Sequence, residues 1–369
     1  MNMAKIRVLF LVPSFLPIIG GVERHTYYVA KELSRHRIDV TIVTCGSRQL
    51  KKHNVINGIK VYRINTELKG PLRILPIWAY LLKNLQILIY NDIIHLHDWY
   101  TFLWLLPIFP TLRVLRKPVF ITFHGFERYP IPKPAYVFRK LVEKATWGNI
   151  CVGAFIAKWY RTKPDVIIIG GVEKPKHLPP KSNIKNNVIV FIGRLSNDTG
   201  IIELLDAIKM LRDKCQLNIE LHICGDGPLK NYVKRFSSLN NLNVYIYGFV
   251  SDPWSCIAKA RIVSAPGYLS MLEGMIARRL VISICNNPLK KDYFFSIPKI
   301  NEMIILASNP EELAKKLHEV FTNNKSVNKI IGKAYTFAKK HSWKRVALAY
   351  LTLYKNKLRI KNKGSNYAY

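Results

Sequence analysis

Two glycine turns are the residues best placed to do chemistry in this chain. Lys5-Ile6-Arg7-Val8-Leu9-Phe10-Leu11-Val12 is an apolar strand that runs into Pro13 and Pro17, then Gly20-Gly21. A helix follows with Val22, Tyr27, Val29, Ala30 and Leu33 at helical spacing. Near the middle, Val188–Ile192 is a second apolar strand, leading into Gly193-Arg194-Leu195, then Thr199-Gly200 and a second amphipathic helix. A strand, a glycine turn and a helix N-terminus expose backbone N–H groups and the positive end of a helix dipole, which suits a phosphate. Two such halves facing one another would form a cleft with phosphate-binding walls. Arg194 can offer its planar donor fork to phosphate oxygens or pair with an acid across domains. Taken alone, Gly20-Gly21 is equally an ordinary strand–helix turn.

The elements that must position these residues alternate. Apolar runs at 5–12, 38–44, 59–64, 92–97, 118–123, 149–153 and 165–169 read as strands in the first half. In the second half, 188–192, 218–224, 243–247, 261–265, 280–285 and 303–306 do so. Helical spacing lies between them at 22–36, 200–213, 228–238, 270–278 and 310–322. Strands without period-two alternation, separated by helices, indicate parallel sheets covered on both faces. The expected fold class is therefore α/β, with two Rossmann-like doubly wound domains. The proline-rich basic stretch 173–187 reads as a linker between domains at 1–172 and 188–341. A last helix at 342–358 begins at Ser342 and carries Trp343, Val346, Ala347, Tyr350, Leu351 and Tyr354 on one face. That leaves a basic tail at 359–369, expected to be disordered.

A length of 369 residues with 49% hydrophobic residues suffices for two cores. The net charge of +34 points to anionic partners: a lipid surface, nucleic acid or phosphorylated substrates. A generally lysine-rich or salt-adapted proteome would produce the same excess. Six cysteines without a C-x-x-C pair indicate neither a disulfide framework nor a zinc site, hence a reducing compartment. Residues 3–19 imitate a signal peptide, but Pro13 and Pro17 interrupt the apolar run, which is read as a buried first strand. The apolar stretches 72–90 and 102–114 are broken by Lys83, Asn84, Gln86, Pro107 and Pro110. Neither reaches the ~18 uninterrupted apolar residues of a span, so no transmembrane helix is expected.

Eight motifs stand in order: Gly20-Gly21-Val22-Glu23-Arg24-His25, Asp92-Ile-Ile-His95-Leu-His97, Thr122-Phe-His124-Gly125, Phe191-Ile-Gly193-Arg194-Leu195, Cys224-Gly225-Asp226-Gly227-Pro228-Leu229, Tyr247-Gly248-Phe249-Val250, Leu272-Glu273-Gly274-Met275 and His341-Ser342-Trp343. In that order and spacing the chain resembles a GT-B glycosyltransferase of the retaining family 4 type, over nearly its whole length to about residue 355. The resemblance implies catalytic roles for His124 and Arg194. It implies donor contacts from Gly20, Gly21, Thr199, Gly248, Val250, Gly267, Tyr268, Leu269 and Glu273, with Glu273 binding the nucleotide ribose. His97 and Asp98 are candidate acceptor contacts, with packing or capping as the other reading. The implied partners are a nucleotide-sugar donor and a glycan or polyprenyl-phosphate-linked acceptor. No metal and no cofactor are expected, since no Asp-x-Asp occurs.

The departures from that pattern matter as much. Thr199 stands where the family has a lysine that neutralises the leaving diphosphate, and Ala265 stands where the first of two paired glutamates falls. Arg278 or Arg279 is a candidate replacement for the missing charge. Basic, aromatic and apolar residues at 70–90 and 99–104 suit either a helix in a lipid interface or helices covering the sheet. The expectation is thus a retaining hexosyltransferase, peripheral on the inner, cytoplasmic face of a membrane. The alternative is a catalytically weakened GT-B subunit that binds nucleotide or lipid-linked glycan for a partner transferase. Nucleic-acid binding is a third reading, without an RNA-recognition signature to support it.

Overall fold

Among the described residues of the computed structural model, every strand pairing but that of His53–Ile56 with Ile59–Asn65 is parallel, which follows from apolar runs joined by helical crossovers. The structure describes residues 6–68, 70–125, 129–175, 185–250, 252–323 and 327–364. Lys5 and residues 176–184 of the expected linker lie outside that range. Two units divide the chain, one of residues 1–126, 130–168 and 343 onward, the other of residues 127–129 and 169–342.

The first unit holds β1 (Arg7–Val12), β2 (Asp39–Gly46), β3 (His53–Ile56), β4 (Ile59–Asn65), β5 (Ile93–His97), β6 (Val119–Phe123), β7 (Gly148–Val152) and β8 (Val166–Ile168). Its helices are α1 (Gly21–Arg35), α2 (Ile74–Lys83), α3 (Leu85–Tyr90), α4 (Phe102–Leu105), α5 (Phe109–Val114), α6 (Lys133–Ala145) and α7 (Phe155–Tyr160). The sheet order is β3-β4-β2-β1-β5-β6-β7-β8. Val8 to Val12 are wholly buried, as the centre of a doubly covered sheet requires. The order reverses direction between β1 and β5, and a ligand cleft opens outside the carboxyl ends of strands at such a point. The antiparallel β3 was not expected. Asn57-Gly58, both at positive φ (47° and 85°), turn the chain back on itself there.

The second unit holds β9 (Lys185–Ile192), β10 (Glu220–Cys224), β11 (Asn243–Gly248), β12 (Ala260–Ser264), β13 (Leu280–Ile284) and β14 (Ile305–Ala307). Between them lie α8 (Ile201–Cys215), α9 (Lys230–Leu239), α10 (Trp254–Lys259), α11 (Tyr268–Ile276), α12 (Pro288–Phe295), α13 (Pro310–Thr322) and α14 (Val327–Lys339). The order β11-β10-β9-β12-β13-β14 reverses between β9 and β12. Two helices start alike: Asn287 and Asn309 accept the N–H of Lys290 and Glu312 at 2.8 Å each, with proline at the first helical position.

The last helix, α15, runs from Trp343 to Gly364 and packs against α1 in the first unit. Two expected boundaries shift. β9 begins at Lys185, inside the expected linker, because that residue pairs with Ala260 at the amino end of β12. The stretch from residue 359 read as disordered tail continues α15 to Gly364, since it holds no glycine or proline before that residue.

Candidate active site

In the first unit the candidate residues gather at the carboxyl edge where the strand order reverses. His97 ends β5, and His124 follows β6, the neighbouring strand. Their rings stack with centroids 5.3 Å apart, and His97 Nδ1 lies 3.0 Å from His124 Nε2. His25, one turn into α1 from Gly20-Gly21, sets its ring edge-on to His124 at 5.0 Å. Gly20 caps α1 with extended backbone, and a β-carbon on it would stand 2.4 Å from the Glu23 carboxylate. That carboxylate folds back over the turn and accepts from Ser14 Oγ. Gly20 is thus bare for the sake of its own helix, whereas the space above Gly21 is open.

Behind the imidazoles runs a buried hydrogen-bonded chain. Tyr354 OH meets His95 Nδ1 at 2.7 Å, His95 Nε2 meets Thr122 Oγ1 at 2.8 Å, Thr122 Oγ1 meets Tyr350 OH at 2.7 Å, and Tyr350 OH meets His25 Nε2 at 3.0 Å. Burial holds His25, His95 and His97 well below the ordinary imidazole range, and the neighbouring rings add to it. His124 is pushed down to about 3 by burial and then by the Arg139 charge.

Two residues of this edge are held by one another: Asp98, whose capping reading the structure shows, and Arg139, which sequence reading missed. Asp98, at φ 70°, caps the turn at Trp99–Thr101 by accepting Trp99 N–H at 2.9 Å, and its Oδ1 lies 3.4 Å from Arg139 Nη2. Arg139 is fully buried on α6, its guanidinium 4.1 Å from the ring centre of Tyr160. In sequence it reads as one more cation on a solvent face. Only its fit between Asp98 and two aromatic rings marks it out.

In the second unit the reversal point brings Gly193-Arg194, after β9, beside Pro266-Gly267, after β12. Arg194 is exposed and pairs with Asp198 at 2.9 Å. Thr199 is buried and donates its hydroxyl to Ser196 O at 2.6 Å, closing its own turn. Only Ala265, Pro266 and Gly267 connect β12 to α11, and Ala265 is buried against β13 through the Ile282 carbonyl. Ala265, at the position of the family's first glutamate, brings no carboxylate to this connection. Gly267 caps α11 with no side-chain acceptor of its own, and the first amide of the helix, Tyr268 N–H, is donated to the Tyr293 hydroxyl at 2.8 Å. Tyr268 is a wall residue: its ring stacks on Tyr293 at 3.9 Å and its hydroxyl donates to Tyr293 O at 2.6 Å. Leu269 is half-buried in the first turn, and Glu273 is buried near the middle of α11. Gly248, at φ 73°, ends β11 two strands from β9, and Val250 follows half-buried. A bridge links Gly248 to Gly225, and a β-carbon on Gly225 would stand 1.8 Å from Gly193 O.

Neither arginine candidate replaces the charge lost at Thr199. Arg279 donates to the carbonyls of Ile257 (3.0 Å) and Ala258 (2.9 Å), and Arg278 lies 4.2 Å over the Tyr335 ring. The cation that does reach the loop is Lys290, which is buried on α12 with Nζ donating to Pro266 O. Asn-Pro-Leu-Lys-Lys reads only as a capped helix start, so sequence gave no signal for it.

Comparison with known proteins follows the same division. Residues 19–169 match the family described as Glycosyltransferase Family 4, and residues 173–337 match Glycosyl transferases group 1. An uncharacterized glycosyltransferase of Methanocaldococcus jannaschii, MJ1178, is 24% identical over 360 residues, 93% of this chain and 97% of its own. The Campylobacter jejuni GalNAc-alpha-(1->4)-GalNAc-alpha-(1->3)-diNAcBac-PP-undecaprenol alpha-1,4-N-acetyl-D-galactosaminyltransferase is 24% identical over 228 residues, 60% of this chain and 63% of its own. Anabaena Alr3699/HepE, solved in complex with UDP and glucose, aligns with a TM-score of 0.71 at 16% identity, over 98% of this chain and 99% of its own.

Proposed function

Since the chain is a GT-B glycosyltransferase of the group 1 kind, we propose that it moves a hexose-type sugar from a nucleotide-sugar donor to a lipid-linked glycan, with retention of anomeric configuration and without a divalent ion. The observation that carries this reading is the carboxyl edge of the second unit. There the start of α11, the exposed Arg194 fork and the buried Glu273 carboxylate lie at or near the reversal of strand order. Departure of a nucleoside diphosphate builds charge on phosphate oxygens. Donors already aimed at that charge are the largest catalytic term such an edge can supply. Arg194 exchanges Asp198 for phosphate oxygens, the α11 amides hold the sugar and its phosphate, and Glu273 accepts the ribose hydroxyls.

The acceptor side rests on the first unit. Leu72, Leu75, Leu82, Ile89, Val114 and Leu115 are exposed on and around α2, α3 and α5, among Arg73, Lys83, Arg113 and Arg116. Among the described residues no helix is long and apolar enough to cross a membrane, so this surface suits lying on an anionic leaflet, which we take to be the cytoplasmic one. The Campylobacter relative's undecaprenol-linked acceptor agrees with a polyprenyl-phosphate carrier here.

A second reading draws on Thr199 and the three-residue β12–α11 connection. It makes the chain a donor-binding partner of another transferase. Calorimetry against UDP-, GDP- and ADP-sugars in EDTA, followed by product analysis with polyprenyl-diphosphate glycans, separates the two. Turnover of one donor, lost in Glu273→Ala, supports transfer. Tight binding without transfer or donor hydrolysis moves the partner reading ahead, and binding that requires a divalent ion overturns the metal-free mechanism.

A further inference from the structure

We propose that Cys224 and Cys256 form a reversible dithiol–disulfide site that ties the end of β10 to α10 beside the Gly248–Val250 segment. Their Sγ atoms stand 2.6 Å apart, between an ordinary non-bonded separation and a covalent S–S bond of about 2.05 Å. Thirty-two positions separate them in sequence, without the C-x-x-C spacing that would have advertised the pair.

The two thiols divide the roles that thiol–disulfide exchange requires. Cys256 is half-exposed on α10, whereas Cys224 is buried as the last residue of its strand. The Cys224 S–H donates to the Cys256 sulfur and brings that thiol down to about 7, within reach of neutral pH. The same bond, with burial, holds the Cys224 thiol up. The reaction partner is a small-molecule disulfide. The Cys256 thiolate attacks one of its sulfurs, forming a mixed disulfide and expelling one thiolate. Cys224 then gives its proton to that thiolate or to water and attacks the Cys256 sulfur, releasing the second thiolate. Two cysteine thiols are oxidised, and one external disulfide is reduced to two thiols.

The bond would act where the donor loops meet. Cys224 O accepts the Gly193 N–H at 3.3 Å, one residue before Arg194, and Cys224 pairs in register with Gly248. Anchoring α10 to this strand end therefore restrains the backbone on which Gly193, Gly225 and Gly248 converge. A pair poised in this way fits a regulatory bond in a reducing compartment better than a permanent staple.

The test uses the full-length protein equilibrated in glutathione buffers of graded redox poise, quenched in acid, alkylated and mapped by mass spectrometry. The expected result is a Cys224–Cys256 peptide link, two hydrogens lighter, appearing in a single two-electron transition. The oxidised protein should melt at a higher temperature, dithiothreitol should reverse the shift, and Cys256→Ser should remove both effects while Cys215→Ser leaves them. Full alkylation of both thiols in the most oxidising buffer overturns the proposal. So does a glutathione adduct that persists on Cys256 while Cys224 stays alkylatable. No readout needs a sugar donor, so the result stands apart from the transfer reading.

Discussion

Among single residues, the role proposed for His124 turns on which of its nitrogens carries the proton. His97 Nε2 is buried without a hydrogen-bond partner. A buried orphan acceptor costs less than a buried orphan N–H, so His97 carries its proton on Nδ1 and donates to His124 Nε2. His124 then keeps its own proton on Nδ1, a neutral donor suited, on the proposed function, to a sugar hydroxyl or ring oxygen. With its imidazole pushed down to about 3, it is not a general acid at neutral pH. His124→Ala is expected to lower kcat by about 10²-fold, the scale of one preorganised donor. The kcat/KM of the unsubstituted enzyme should show no ascending limb from this group between pH 5 and 8. An imidazole-like titration there that disappears in His124→Ala would overturn the assignment. Lys290→Met, which strips Pro266 O of its cationic partner, should weaken nucleotide-diphosphate binding about tenfold, or about 1.4 kcal/mol. Unchanged affinity in calorimetry would make Lys290 a packing residue.

Elements carry the cost of holding those imidazoles neutral. α15 inserts Tyr350 and Tyr354 behind β5 and β6, where they complete the hydrogen-bonded chain. Tyr350→Phe removes the hydroxyl shared by Thr122 and His25 and leaves two buried partners short, a loss of about 1–3 kcal/mol in denaturant unfolding. A change within error would show that the chain is ornamental to stability. The apolar face of α15 was legible because Trp343, Val346, Ala347, Tyr350 and Tyr354 repeat at helical spacing and are buried, whereas Leu351, read onto the same face, is only half-buried. What their hydroxyls touch was not legible, since the partners of Tyr350 lie 228 and 325 positions away. The same limit hid Arg139 and Lys290, two cations whose burial is decided by distant aromatic rings and a carbonyl. The missed β3 is different in kind. Asn57-Gly58 is a local hairpin signal, overlooked because the flanking residues His53–Ile56 carry almost no apolar pattern. Strand positions and the motif turns were legible because they depend on local apolar runs and glycines. The β12–α11 connection was not, because its length emerges only once β12 is seen to end at Ser264.

For the molecule as a whole, two charge effects oppose each other. Three buried imidazoles, at His25, His95 and His97, have folded pKa values below the unfolded one near 6.5. Below pH about 6.5 the unfolded chain therefore binds protons that the folded chain refuses, and stability is lost as pH falls toward the folded values. Each group contributes a slope of up to about 1.4 kcal/mol per pH unit. Melting temperature should be flat from pH 7 to 8 and fall steeply from about 6.5 to 5, and a flat profile throughout would refute the neutral cluster. Acidification also adds to a charge that is already +34, so self-repulsion acts in the same direction. The two causes separate with salt: repulsion fades as the screening length shrinks from about 10 Å at 0.1 M to about 3 Å at 1 M, whereas a buried imidazole is hardly screened. The same lever tests the membrane surface. Binding to phosphatidylglycerol vesicles should fall sharply over that salt range and be absent on neutral phosphatidylcholine. Leu72→Ser with Val114→Ser should weaken it further, since each removes an exposed apolar side chain from the α2–α5 face. Equal salt-sensitive binding to random RNA, unaffected by those two substitutions, would show that the charge serves a polyanion of another kind and would sink the lipid reading.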